Sequence, residues 1–184
     1  MDCLFIHSFI KDDSMCKKMD GFGNSKLPTG YGVVSCKATL NGYELGVCWS
    51  KKTTYSEGTE HAEDAVCDHM QSLLFALGGF QMPEGIVADL HYVIPNGKNL
   101  LEITDLTASP CSSSTTPKTC NKPDTAGCTE RLIELIDEWR QDGYKLQISI
   151  QADHYYQPKI SGAKRASAQA VEALEDAGIA VSIG

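Results

Sequence analysis

Hydrophobic residues recur at two different spacings along this chain, and the spacings divide it into elements. From about residue 60 to 77, Ala62, Ala65, Val66, Met70, Leu73, Leu74 and Leu77 fall three or four apart, predicting a one-sided helix that Gly78-Gly79 ends. Leu132, Ile133, Leu135, Ile136 and Trp139 mark a second helix in "CTERLIELIDEWRQ", and "GAKRASAQAVEALEDAG" reads as a third. Alternation takes over in "VVSCKATLNGYELGVCWS", where Asn41-Gly42 is a two-residue hairpin signal. A type I′ turn there sets Leu40 opposite Tyr43, Ala38 opposite Leu45, Cys36 opposite Val47 and Val34 opposite Trp49, all on one face. "IVADLHYVIP" and "LLEITDLT" read as strands joined across "NGKN", and "YKLQISIQ" and "IAVSI" as two more. Residues 108 to 127 are rich in Ser, Thr, Pro and Gly and predict a loop. Residues 1–30 are weakly patterned, an N-terminal arm before one α/β domain over 31–184. The late alternation of strand and helix predicts parallel strands with helices on the sheet faces.

Composition adds limits. The chain has 184 residues, 42% hydrophobic and 22% charged, enough for one domain with a sizeable core. No apolar run approaches the roughly 20 residues of a membrane helix, and the first residues lack the basic stretch of a signal peptide. The net charge of −8 argues against tight nonspecific binding to nucleic acid. The acids, however, concentrate in helical stretches, while Lys51, Lys52, Lys118, Lys122, Lys159, Lys164 and Arg165 fall in loops or at element ends.

There are eight cysteines. Cys36, Cys48 and Cys67 fall inside regular elements, where buried free thiols are common. Cys111, Cys120 and Cys128 share the polar loop and the helix start that follows it. His61 and Glu63 stand two apart where the first helix opens. On a regular helix they would point to nearly opposite sides, so only an irregular first turn aims both at one place. A catalytic zinc takes three protein ligands and leaves a fourth position for water. His61, Cys111 and Cys128 would supply the three, with two of them at helix N-termini, where free N–H groups and the dipole favour a thiolate. Glu63 is then free to act as a base. Cys120 is an alternative second thiolate. A closed structural zinc held by His61, Cys111, Cys120 and Cys128, or disulfides among the loop cysteines, are the competing readings.

His61-Ala62-Glu63, then Pro110-Cys111, then Cys128 at a helix start resembles the cytidine deaminase-like superfamily, whose signature is H-x-E…P-C-x-x-C. The element order from residue 33 to the last strand near 183 resembles that fold as well. One departure is plain: sixteen residues, 112 to 127, separate Cys111 from Cys128, where the signature has two. An expanded loop of this kind resembles the divergent deaminase domains of bacterial toxins. The resemblance implies a three-layer α/β/α fold on a mixed sheet of about five strands, the last two parallel. It implies one zinc per chain on His61, Cys111 and Cys128, with Glu63 as the proton carrier. It implies hydrolytic conversion of cytosine to uracil in nucleic acid, DNA more than RNA. It also implies an immunity protein as a possible partner, no membrane, and a cytoplasmic place of action or delivery into a target cell within a larger secreted protein. Lys51 and Lys52 before the first helix, and His154, Tyr155 and Tyr156 after "YKLQISI", are the candidate substrate contacts. Against this stand an enzyme of free nucleosides or nucleotides, which the acidic body favours, and a zinc-stabilised module without catalysis. His91 and Cys67 read as structural.

Overall fold

The computed structural model describes residues 16–17, 31–52, 59–78, 93–112, 127–156 and 163–184. Its strands are β1 (Cys16–Lys17), β2 (Tyr31–Leu40), β3 (Tyr43–Lys52), β4 (Thr59–Glu60), β5 (Lys98–Leu106), β6 (Lys145–Ala152) and β7 (Ala180–Ile183). Its helices are α1 (Ala62–Leu77), α2 (Cys128–Gln141) and α3 (Ala163–Asp176). The strands form one mixed sheet in the order β1-β3-β2-β5-β6-β7, with β4 also on β3. β2 pairs antiparallel with β3 and β5, while β5–β6 and β6–β7 are parallel. This is the expected α/β class, with five main strands and a parallel final pair.

One face of the sheet carries the core. Ala38 stands beside Ile103 and Leu40 beside Leu101 across β2–β5, and Leu101 and Ile103 stand beside Ile148 and Ile150 across β5–β6. All of these are buried, and they share one apolar cluster with α1, α2 and Leu174 of α3. The three described helices therefore lie on the same face. Strict alternation makes this possible, since every second residue of a strand points to one side. The opposite face holds exposed Lys37, Leu100, Gln147 and Gln151, and no described residue supplies a helical layer over it.

The hairpin turn forms as read, with Asn41 and Gly42 both at positive φ (52° and 79°). Its register departs from the expectation after two pairs, Leu40–Tyr43 and Thr39–Glu44. Leu40 faces Tyr43, but Ala38 faces Gly46, Cys36 faces Cys48 and Ser35 faces Trp49. Leu45 is the extra residue of a bulge, and Gly46, at φ 127°, supplies a conformation most side chains avoid. Beyond the bulge the two faces exchange. Cys48 joins the core, whereas Val47 and Trp49 turn to the other side.

Other expectations shift. α1 begins at Ala62 and α2 spans the whole of "CTERLIELIDEWRQ". Residues 93–95 of the expected "IVADLHYVIP" strand are not strand, and 86–92 lie outside the described residues, as does His91. The arm contributes a two-residue strand, with Cys16 opposite Cys48. Cys48 is disulfide-bonded, which corrects its reading as a free core thiol; Cys36 and Cys67 are free and buried. Among the described residues no helix is long and apolar enough to cross a membrane.

Candidate metal centre

The two parallel strands β5 and β6 end side by side, Leu106 against Ala152. In open α/β sheets, ligands bind beyond the carboxyl ends of such strands. Asp105, at φ 52°, forms a register irregularity just before β5 ends at Leu106, and Pro110 and Cys111 follow five and six residues later. The Cys111 carbonyl then accepts the Thr129 N–H at 2.8 Å. Thr129 lies in the first turn of α2, where amides have no partner within the helix. This bond sets Cys111 directly against the start of α2, which is where Cys128 stands.

His61 comes from a third segment. It is the N-cap of α1, with extended φ −84° and ψ 160°, while Glu63 is already helical. This resolves the spacing problem posed by the sequence: the imidazole precedes the helix, so it and a residue two positions on can serve one site. The Asp64 carboxylate accepts the His61 backbone N–H at 3.0 Å and holds the cap.

The three segments bring three donor atoms together. His61 Nδ1 is 3.2 Å from Cys128 Sγ and 3.3 Å from Cys111 Sγ, and the two sulfurs are 3.7 Å apart. A tetrahedral zinc, with Zn–S of ~2.3 Å and Zn–N of ~2.0–2.1 Å, requires about 3.8 Å between sulfurs and about 3.6 Å between nitrogen and sulfur. The triangle fits to within a few tenths of an ångström. Its chemistry fits as well. Both thiols are buried, and Cys128 is held well above its ordinary pKa, first by the hydrogen bond with Cys111, then by burial, then by Glu63. Ionised together, two thiols this close would need a cation between them. These residues are able to hold one metal ion.

Glu63 adds a buried carboxyl beside these donors. It is 3% exposed, and its Oε2 has no hydrogen-bond partner. Burial pushes its carboxyl up to about 7, which His61 opposes and Cys111 reinforces. A carboxyl that titrates near neutrality, with a lone pair unused, suits proton transfer.

No protein-family model and no curated protein matches this chain.

The segment after β6 borders the donor triangle. His154 O accepts the Ser109 N–H at 2.8 Å, and the Tyr156 N–H donates to Ser109 Oγ at 2.9 Å. Ser167 Oγ of α3 donates to the Tyr156 carbonyl. Fixed in this way, the Tyr156 ring lies 6.3 Å from the His61 ring, tilted by 50°. Tyr155 is 43% exposed. Lys51 and Lys52 pair through their backbones with Glu60 and Thr59, the two residues just before His61. Thus His61, Cys111 and Cys128 meet at one point, and the buried Glu63 carboxyl is close enough to feel the charges of His61 and Cys111. Tyr156 stands beside them, and the backbones of Lys51, Lys52 and His154 approach. Cys120, Lys118, Lys122 and Lys159 lie outside the described residues. Sequence reasoning missed Ser109 and Ser167, because small buried hydroxyls leave no periodic signal.

Proposed function

We propose that this chain is a zinc-dependent hydrolytic deaminase that converts cytosine to uracil in nucleic acid, DNA more than RNA, and resembles the toxin-type deaminase domains of bacteria. The observation that carries the reading is Glu63: a buried carboxyl with an unused oxygen, in the first turn of α1 and electrostatically coupled to His61 and Cys111 of a His/Cys/Cys triangle of zinc dimensions. A structural zinc has no need of an acid–base group at its side. Two further features support it, namely strands β6 and β7 running parallel and the Tyr156 ring beside His61.

In this reading His61, Cys111 and Cys128 hold the zinc. When bound, zinc supplies the Lewis acidity that makes water nucleophilic near neutral pH. Glu63 takes a proton from the attacking water, passes it to the ring nitrogen of the base, and then carries a proton to the departing amine. The water oxygen adds at C4 of cytosine, ammonia leaves, and uracil remains. Tyr156 offers an aromatic face against which a base extruded from its stack can rest. Lys51 and Lys52 supply positive charge to nearby phosphates in a protein otherwise acidic.

The test is direct. The zinc-loaded protein is incubated with single- and double-stranded DNA and RNA oligonucleotides and, separately, with free cytidine, and base changes are mapped. Cytosine-to-uracil conversion in polymer is expected. Conversion of free cytidine alone would transfer the site to a small-molecule enzyme, and no conversion with zinc fully bound would leave a non-catalytic module.

A further inference from the structure

Two of the three metal donors sit at the starts of different helices, His61 capping α1 and Cys128 opening α2. Their donor atoms are 3.2 Å apart, although 67 positions separate them in sequence. Apolar packing of α1 on α2 buries their inner faces but does not by itself fix how far one helix slides along the other. Ligand constellations need placement to within about 0.5 Å. Something must set that offset at the metal end.

The only ion pairs linking α1 to α2 among the described residues belong to Arg131, one turn after Cys128. Arg131 Nη1 donates to Asp64 Oδ1 at 2.8 Å and Nη2 to Asp68 Oδ1 at 2.6 Å. A planar guanidinium holding two carboxylates on successive turns of the facing helix fixes both distance and offset. Asp64 also uses its other oxygen. Oδ2 accepts the backbone N–H of His61 at 3.0 Å. One carboxylate therefore spans from the α2 side chain to the backbone of the imidazole ligand. The Arg131 and Asp64 side chains are only 19% and 21% exposed, so solvent screens this pair little, whereas Asp68 is 62% exposed. Gln71 and Glu138 tie the same helices together further along, in the open.

We infer that Arg131 and Asp64 are positioning residues of the metal centre, a frame that sets the His61 imidazole against the Cys128 thiolate. This assignment rests on the metal reading and is independent of the substrate. Outer partners that orient metal ligands typically cost about 10–100-fold in metal affinity when removed.

The experiment measures zinc affinity by competition with a chromophoric chelator, well below the melting temperature, together with the visible spectrum of the cobalt(II)-substituted protein. Arg131→Met and Asp64→Asn are each expected to weaken zinc binding by about 10–100-fold and to shift the cobalt bands, as a distorted tetrahedron would. Asp68→Asn, which removes only the exposed arm, is expected to stay within about threefold of wild type. Arg131→Lys is expected to recover part of the loss, since it restores charge but not the fork. A lower melting temperature with unchanged zinc affinity and cobalt spectrum in both Arg131→Met and Asp64→Asn would make the clamp merely structural and overturn the assignment. Should Arg131→Met fail to fold, Asp64→Asn, which preserves side-chain shape, decides alone. A wild-type chain that takes up no zinc would overturn the metal reading and this frame with it, an outcome distinct from variants that bind as wild type does.

Discussion

Replacing Cys128 with alanine separates two contributions that the structure keeps apart. Cys111 and Cys128 are buried but lie outside the main apolar cluster. Loss of the Cys128 sulfur in metal-free protein should therefore cost only a small packing term, about 1 kcal/mol. In a protein of this length that lowers the melting temperature by roughly 2–4 °C. With zinc the difference grows. A ligand at a thousandfold excess over its dissociation constant stabilises the native state by about 4 kcal/mol. A centre reduced from three protein donors to two gives up most of that, so the zinc-dependent part of the melting temperature, roughly 8–16 °C, should vanish. The assay is thermal unfolding with added zinc and with chelator, alongside metal analysis of the purified protein. Wild type is expected to hold one zinc and to melt much lower in chelator. Cys128→Ala should melt at nearly the same temperature in both. The reasoning is refuted if Cys128→Ala retains full zinc and its chelator sensitivity while Cys120→Ala loses both, or if chelator leaves wild type unmoved.

Three other outcomes are expected. Glu63→Gln should keep its zinc and its fold yet lose turnover by roughly 10²–10⁴-fold; a variant with half its activity would remove Glu63 from the chemistry. Tyr156→Ala should weaken oligonucleotide binding by about 1–3 kcal/mol, and Lys51→Ala with Lys52→Ala should lower its salt dependence, both read by titration at several ionic strengths. Asn41→Ala should destabilise the fold without touching the zinc content. Its side chain bonds to Val93 O, Asn99 Oδ1 and the Leu100 N–H at the opposite end of the sheet from the metal site, and its φ is 52°. Denaturant unfolding should show a loss of roughly 2–4 kcal/mol.

Local signals carried far in this chain. Helix α2 was readable to its first residue, because "CTERLIEL" couples a polar start to a clean apolar stripe. His61 and Glu63 were readable because their spacing contradicts a regular helix. The hairpin turn was readable and its register was not, since a bulge depends on whether Gly46 uses its conformational freedom, and alternation alone does not reveal that. Nothing local marked Cys48 as disulfide-bonded, as its partner comes from elsewhere in the chain. The Arg131–Asp64–His61 frame was equally silent. It joins residues up to 70 positions apart, and an acid and an arginine on exposed-looking helix positions ordinarily mean only a solvated surface.

The hydrogen bond from the Thr129 amide to the Cys111 carbonyl closes a neck on the long segment between the two sulfur donors. Once the ends of a segment meet, extra length costs only loop entropy, about 0.6 kcal/mol for each doubling. Sixteen intervening residues rather than two amount to three doublings, about 2 kcal/mol in all. Length beyond the neck should thus be only weakly coupled to the placement of Cys111 and Cys128, and shortening the sequence between them should leave the donor triangle intact.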